Sequence, residues 1–98
     1  EETIVNGSVY KGAYIYGHEV NSFQPCGSDK EYWVIGDNDV MEGLSDGYSE
    51  KSHKAYTPVY VTVNGEMMEK ATDGFAADYD GQLKVSYVQY LGAENHCE

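Results

Sequence analysis

The first patterned stretch of the chain begins after a polar segment, residues 1–7, which we expect to be a loosely ordered tail. Over Ser8–Gly17, apolar and aromatic residues occupy alternating positions, and this period of two predicts a β-strand. Because both sets of alternating positions contain such residues, we expect both faces of the strand to be partly covered. Gly12 and Gly17 predict a bend, and we expect the strand to continue, bent, through residues 18–23.

A dense turn signal and a short strand come next. Pro, Gly, Ser and Asp cluster at residues 25–29, which is typical of a turn. Residues 31–35 then form a short aromatic and branched run that predicts a short strand, the third when the bent continuation through residues 18–23 is counted separately. Its last residue is followed by a polar segment, residues 36–39, that ends the strand.

Residues 40–53 predict an amphipathic helix. Three apolar residues recur there at four-residue spacing: Val40, Leu44 and Tyr48. The N-cap of this helix is expected to be one of three polar residues, Asp37, Asn38 or Asp39. Gly43 and Gly47 weaken the prediction, because glycine lowers helix stability. The alternative is an irregular loop.

The clearest strand signal covers residues 56–63, where valines alternate with Tyr60 and Thr62. Pro58 places this strand at an edge of the sheet or marks the point where the strand starts. The dipeptide Asn64-Gly65 after it predicts a hairpin turn. Residues 66–69 are then expected either to pair back or to extend the strand through a bend.

The chain closes with a polar loop over residues 71–81 and a last strand over residues 82–91. The order is therefore three strands, one helix and two strands. A bent first region, a helix in mid-chain and about five strands are typical of a small OB-type barrel. We predict an all-β fold with one short helix, a small five-stranded OB-like barrel, and a single domain over residues 1–98.

The charge of the chain limits its partners. It has 98 residues with 17 acidic side chains, six lysines and no arginine, for a net charge of −11. This balance argues against nucleic acid, because neutralising phosphates requires Lys or Arg. It also argues against docking on an anionic membrane surface. We expect a monomer whose partner is an unidentified protein or a small-molecule ligand.

The two cysteines, Cys26 and Cys97, favour an oxidising compartment. A bond between them would close a loop over most of the domain and stabilise it by roughly 4 kcal/mol. A chain this short has a modest core, so such a bond would matter. The alternative is two free thiols in a cytosolic protein.

Residues 14–34 are similar to the start of the C-terminal OB-fold domain of NlpE-type envelope lipoproteins. The shared pattern is an aromatic strand, Tyr14-Ile15-Tyr16, followed by Cys26 in a turn and by the strand Tyr32-Trp33-Val34. The later order of elements agrees, and a cysteine near the C-terminus, Cys97, completes the resemblance. It covers residues 9–97.

The resemblance implies a disulfide between Cys26 and Cys97. It also implies a periplasmic or outer-membrane-associated domain of a Gram-negative lipoprotein, with contact to the membrane only through a lipid anchor outside this sequence. The N-terminal domain of the two-domain members has no counterpart here, so their stress-signalling and copper-related roles are not carried over. The expected function is non-enzymatic binding or envelope sensing.

Aromatic residues are the candidates for binding. Five on the predicted strands are proposed as a ligand-binding face: Tyr14, Tyr16, Tyr32, Trp33 and Tyr60. OB barrels stack sugars or bases on such faces, and the charge makes a sugar, peptide or protein the better candidate. An alternative function is therefore a small-molecule or carbohydrate-binding module. The competing interpretation is that these rings fill the core and its rim.

Catalytic and metal chemistry have little support. No nucleophile motif or phosphate-binding loop is present, so no catalytic residue and no cofactor are assigned. A metal-handling protein for Cu or Ca is the remaining alternative, using the His, Met and Cys residues or the acidic loop around Asp78 and Asp80. None of these has metal-ligand spacing, so no metal site is assigned.

Overall fold

A computed structural model describes residues 8–17, 20–52, 54, 57–72, 74–95 and 97. Its elements are β1 (Ser8–Gly17), β2 (Val20–Pro25), β3 (Tyr32–Ile35), α1 (Asn38–Lys51), β4 (Val59–Met68), a 3-10 helix (Phe75–Asp78) and β5 (Gly81–Gly92). The predicted order of three strands, one helix and two strands is confirmed. The predicted loose tail, residues 1–7, lies outside the described residues.

The strands close into a barrel in the order β1-β2-β3-β5-β4, with β4 returning to β1. β3 and β5 run parallel, and the other neighbouring pairs are antiparallel. Every strand therefore has a neighbour on each side along at least part of its length, as expected for a closed barrel. The predicted five-stranded OB-like barrel is confirmed.

The prediction that the first strand continues through residues 18–23 is wrong. The chain reverses instead, and β2 pairs antiparallel with β1 in a register that sets Gly17 opposite Val20. A side chain at Gly12 would overlap the carbonyl oxygen of Gln24, so glycine permits the close approach of β2. The turn predicted at residues 25–29 is confirmed: Ser28 N donates to Pro25 O at 3.1 Å.

The hairpin predicted at Asn64-Gly65 is also wrong, and the alternative, in which the residues after Gly65 extend the strand, is confirmed as far as Met68. Both residues lie inside β4, which starts directly after Pro58 and pairs with β1 and β5 on its two sides. Its register with β5 shifts next to Asn64, as in a β-bulge, and a side chain at Gly65 would meet the backbone of Lys84. Gly65 therefore serves close strand packing rather than a turn.

The core fills the barrel and includes the buried side of the helix. Its members are Tyr14, Phe23, Val34, Leu44, Tyr48, Val59, Val61, Val63, Leu83 and Val85. Leu44 and Tyr48 confirm the four-residue spacing seen in the sequence, and Val40 packs against the same cluster.

Among the described residues, no helix has both the length and the apolar character needed to span a membrane.

A disulfide joins Cys26 to Cys97, with 5.0 Å between their Cα atoms. The predicted bond is confirmed, and the free-thiol alternative is wrong. Cys26 N also donates to Lys11 O at 2.9 Å, which holds the turn after β2 against β1. The disulfide therefore ties the segment after β5 to the β1–β2 side of the barrel.

Candidate functional site

A surface groove of about 410 Å³ lies between α1 and β5. We call it the α1–β5 groove. The helix contributes Asp39, Val40, Gly43, Gly47, Glu50 and Lys51. The strand contributes Ser86, Tyr87, Val88 and Leu91. This volume falls in the range of ligand-binding clefts, about 300–1,000 Å³.

The helix side of the groove follows from how α1 starts and what it buries. Asp37 is the N-cap, and its Oδ1 accepts a hydrogen bond from Val40 N at 3.1 Å. Leu44 and Tyr48 turn into the core. The positions one residue before each of them, Gly43 and Gly47, therefore lie one helical turn apart along the groove.

The two glycines of α1 differ in what surrounds them. A Cβ on Gly47 would lie 2.8 Å from Leu91 Cδ1, so glycine there lets the helix lie close to β5. A Cβ on Gly43 would have no atom within 4 Å. Glycine inside a helix costs about 1 kcal/mol relative to alanine. Packing within the described chain explains this cost at Gly47 and leaves it unexplained at Gly43.

The strand side is shaped by hydrogen bonds to Asn64 on β4. Its side-chain Oδ1 accepts a hydrogen bond from Gln89 Nε2 at 2.7 Å, and its backbone oxygen accepts one from Ser86 Oγ at 3.2 Å. The register shift at this point changes which side chains of β5 face outward. As a result Tyr87 is 53% exposed beside the groove, while Val88 packs against the core.

The charges of the groove lie at its two ends. Asp39 is in the first turn of α1, where the positive end of the helix dipole favours an acid. Lys51 is in the last turn, where the negative end of the helix dipole favours a positively charged side chain. Glu50 is exposed in that same last turn, where the dipole disfavours it. The apolar middle of the groove is thus bordered by carboxylates at both ends.

The five aromatic residues predicted as one binding face lie in different environments. Tyr14 is 1% exposed in the core, and Tyr32 packs against the core from its edge. Trp33 is half-buried and contacts Tyr79 edge to face, with 5.4 Å between ring centroids. Tyr16 is exposed at the end of β1. The core-and-rim interpretation describes Tyr14 and Tyr32, and ligand binding by the others stays a prediction.

Tyr60 has a separate location, in a cavity of about 220 Å³ beside the disulfide. Cys26 and Cys97 line this cavity too, together with Ala13 and Gln24. Trp33 lines neither this cavity nor the α1–β5 groove.

The comparison with protein families agrees with this fold. The profile of the NlpE C-terminal OB domain matches residues 4–98, which is nearly the whole chain. The chain belongs to this family. Comparison with curated proteins and with solved structures gives no significant match. NlpE proteins are envelope lipoproteins of Gram-negative bacteria, and membership indicates an envelope location.

Metal binding was a sequence-derived alternative for this NlpE-type domain. Within the described part of the chain, no three His, Cys, Asp or Glu side chains come together where they could hold a metal ion. The candidate histidines, residues 18, 53 and 96, lie outside it. In the acidic loop, Asp80 Oδ2 accepts a hydrogen bond from Glu31 N at 2.9 Å, which links that loop to the start of β3.

Tyr79 lies next to this acidic loop of the NlpE-type domain. Partial burial raises the pKa of its hydroxyl above the usual value, and the nearby charges of Glu31 and Asp78 raise that pKa further. Because even the ordinary pKa of a tyrosine is 10.0, the hydroxyl is neutral at physiological pH. The ring of Tyr79 contacts Trp33 of β3 edge to face.

Sequence reasoning missed the groove of this NlpE-type domain, although a signal was present. By their residue type alone, Gly43 and Gly47 predict only a weaker helix. Two glycines four residues apart lie on the same side of a helix. They indicate that a neighbouring element either packs closely against that side or leaves a gap beside it. Tyr87 and Glu50 carried no local signal, because their exposure beside the groove depends on the register of β5 and the docking of α1.

Proposed function

We propose that this domain is a non-enzymatic, partner-binding domain of an envelope lipoprotein and that the α1–β5 groove is its binding site. The observation that carries the proposal is the apolar groove bordered by Val40, Val88 and Leu91, with an open position at Gly43. An exposed cleft with apolar walls and few polar groups is the usual form of a binding site.

The groove favours binding over catalysis. Its described lining contains neither His nor Cys, and the hydroxyl of Ser86 donates to the backbone oxygen of Asn64. His is the commonest general base in enzymes, and Cys is among the common nucleophiles. Recognition of another molecule is therefore the activity that these residues support best.

The proposed setting is the periplasmic face of the envelope. Family membership supports it, and a disulfide such as Cys26–Cys97 persists in an oxidising compartment. In this proposal the domain acts as a monomer, held near the outer membrane by a lipid anchor outside the present sequence. The groove then faces periplasmic molecules.

Site-specific photo-crosslinking in the bacterium that encodes the protein tests this function. A benzophenone amino acid replaces Tyr87 at the groove in the full-length protein, and in separate strains it replaces Tyr16, which is 39% exposed elsewhere on the barrel, or Glu66. We expect a discrete light-dependent adduct from the Tyr87 position alone. An adduct from the Tyr16 position without one from Tyr87 would favour the aromatic-face alternative and refute the groove.

A further inference from the structure

We propose that the α1–β5 groove binds a positively charged segment of a protein partner, with an apolar side chain seated over Gly43 and Lys or Arg side chains next to Asp39 and Glu50. This inference rests on the proposed function and names the kind of partner. Three observations support it: the open glycine, the placement of the two acids, and the dimensions of the groove.

Gly43 is the first observation. It lies inside α1, where alanine would make a more stable helix, and nothing in the described chain lies within 4 Å of its missing Cβ. A residue that weakens its own element without a packing reason is expected at a functional position. The absent side chain leaves open space on the helix side of the groove, which Val40 and Val88 also line, for a group from outside.

Glu50 is the second observation. Its carboxylate lies in the last turn of α1, where the helix dipole disfavours negative charge, and it lines the groove. Asp39 places a second carboxylate at the other end. Lys51 offsets one of these charges locally, but the whole chain carries a net charge of −11 with no arginine. This field attracts a basic partner and repels a second copy of the chain.

The length of the groove is the third observation. Glu50 lies eleven positions after Asp39 in the sequence, which corresponds to about 16 Å along a helix. An extended peptide covers that distance with about five residues. A segment with basic residues at both ends and apolar residues between them would therefore pair its charges with Asp39 and Glu50 while its centre covers Gly43.

The test uses the peptide Lys-Lys-Leu-Ser-Leu-Lys-Lys with blocked termini and two matched peptides. One has Glu in place of every Lys, and the other has Ser in place of every Leu. Each is titrated into the 98-residue, disulfide-bonded chain at low salt and followed by amide chemical shifts. We expect shifts at Val40, Gly43 and Leu91 with the first peptide only, and weaker binding as salt is added.

Two substitutions at Gly43 separate a binding role from a structural one. Gly43→Ala is expected to raise the melting temperature by about 4 °C, because it removes a helix-weakening residue that has no close neighbour. Gly43→Leu is expected to fold and to lower peptide affinity at least about tenfold by filling the groove. Ser49→Ala, on an exposed part of the same helix, is the control and should leave affinity unchanged.

A charge substitution tests the second half of the proposal. Glu50→Gln should weaken binding of the basic peptide about two- to fivefold, as expected for one exposed charge pair. The same change at Glu66, an exposed acid of β4 outside the groove, should have no such effect. An equal loss of peptide affinity in both variants would show that only the overall negative charge of the protein matters. That result would overturn the local role of Glu50.

The outcomes also separate this inference from the function on which it rests. Equal binding of the Lys and Glu peptides, or no shift at the groove with any peptide, overturns the basic-segment proposal. If Tyr87 still gives a crosslinked partner in that case, the groove is a binding site for another class of molecule. If Tyr87 gives no crosslink, the proposed function itself fails.

Discussion

At the scale of single residues, Tyr14 connects three strands through the core. Its hydroxyl donates to Asn21 Oδ1 at 2.6 Å, and Asn21 Nδ2 donates to the backbone oxygen of Val34 at 3.2 Å. Its ring also meets Tyr48 of α1 edge to face, with 6.2 Å between centroids. A buried tyrosine is well suited to this role because its ring is apolar and its hydroxyl can reach a buried acceptor.

Burial of Tyr14 gives a prediction for alkaline pH. Desolvation raises the pKa of its hydroxyl far above the ordinary value of 10.0, and the neighbouring Tyr16 and Tyr48 add to the rise. Above about pH 10 the unfolded chain releases this proton while the folded chain keeps it, so stability is fully present below that pH and falls as pH rises. We expect the free energy of unfolding to fall by about 1.4 kcal/mol per pH unit from this group.

Urea unfolding between about pH 9 and pH 11 measures this slope. Tyr14→Phe removes this hydroxyl. The free energy of unfolding should therefore fall less steeply with pH, by the contribution of one titrating proton. Equal slopes in the two proteins would mean that the hydroxyl of Tyr14 ionises alike in the folded and unfolded chains.

At the scale of elements, α1 combines structural residues with residues that lower its stability. Asp37 caps its first turn, and Leu44 and Tyr48 bury one side of it. Gly43 and Glu50 work against the helix and line the groove. The helix tolerates these two residues because most helix stability in proteins comes from the packing of its buried side.

Asp37→Ala tests how much of the helix depends on its cap. The change removes the acceptor of the 3.1 Å hydrogen bond from Val40 N, and we expect it to lower the free energy of unfolding by about 1 kcal/mol. Thermal or urea unfolding measures the loss. Asp37→Ser keeps an acceptor at the N-cap and should retain most of the stability, and a loss as large as that of alanine would contradict the role of the cap.

At the scale of the whole molecule, two closures hold the domain together. The strand order β1-β2-β3-β5-β4 returns to β1, so the sheet closes on itself. The Cys26–Cys97 bond then joins positions 71 residues apart and attaches the segment after β5 to the turn after β2. In a domain this small, a covalent closure of so long a loop is a large part of the total stability.

Loss of the disulfide should therefore be costly. We expect Cys26→Ala or Cys97→Ala to lower the melting temperature in non-reducing buffer by more than about 10 °C, from roughly 4 kcal/mol and about 4–8 °C per kcal/mol. Calorimetry of both variants measures the shift. Reductant should lower the melting temperature of the unmodified protein to a similar value and leave the variants unchanged; unchanged melting in the variants would show that the bond adds little.

Local signals were sufficient for most of the fold. The alternation over Ser8–Gly17, the spacing of Leu44 and Tyr48, and the turn at residues 25–29 each depend on neighbouring residues alone. The two strand errors have one cause. The reversal between Gly17 and Val20, and the passage of β4 through Asn64-Gly65, are set by which strand lies alongside, and local turn propensity does not contain that information.

Local patterns in the sequence were enough to establish the class of fold, the order of its elements and the acidic character, and the family resemblance supplied the disulfide. The burial of Tyr14 and the common groove of Gly43, Glu50 and Tyr87 became visible only in the folded molecule. This difference arises because periodicity reports only which side of an element is apolar. A groove between two elements depends on their docking distance and register, and these arise only when the barrel closes and α1 packs on it.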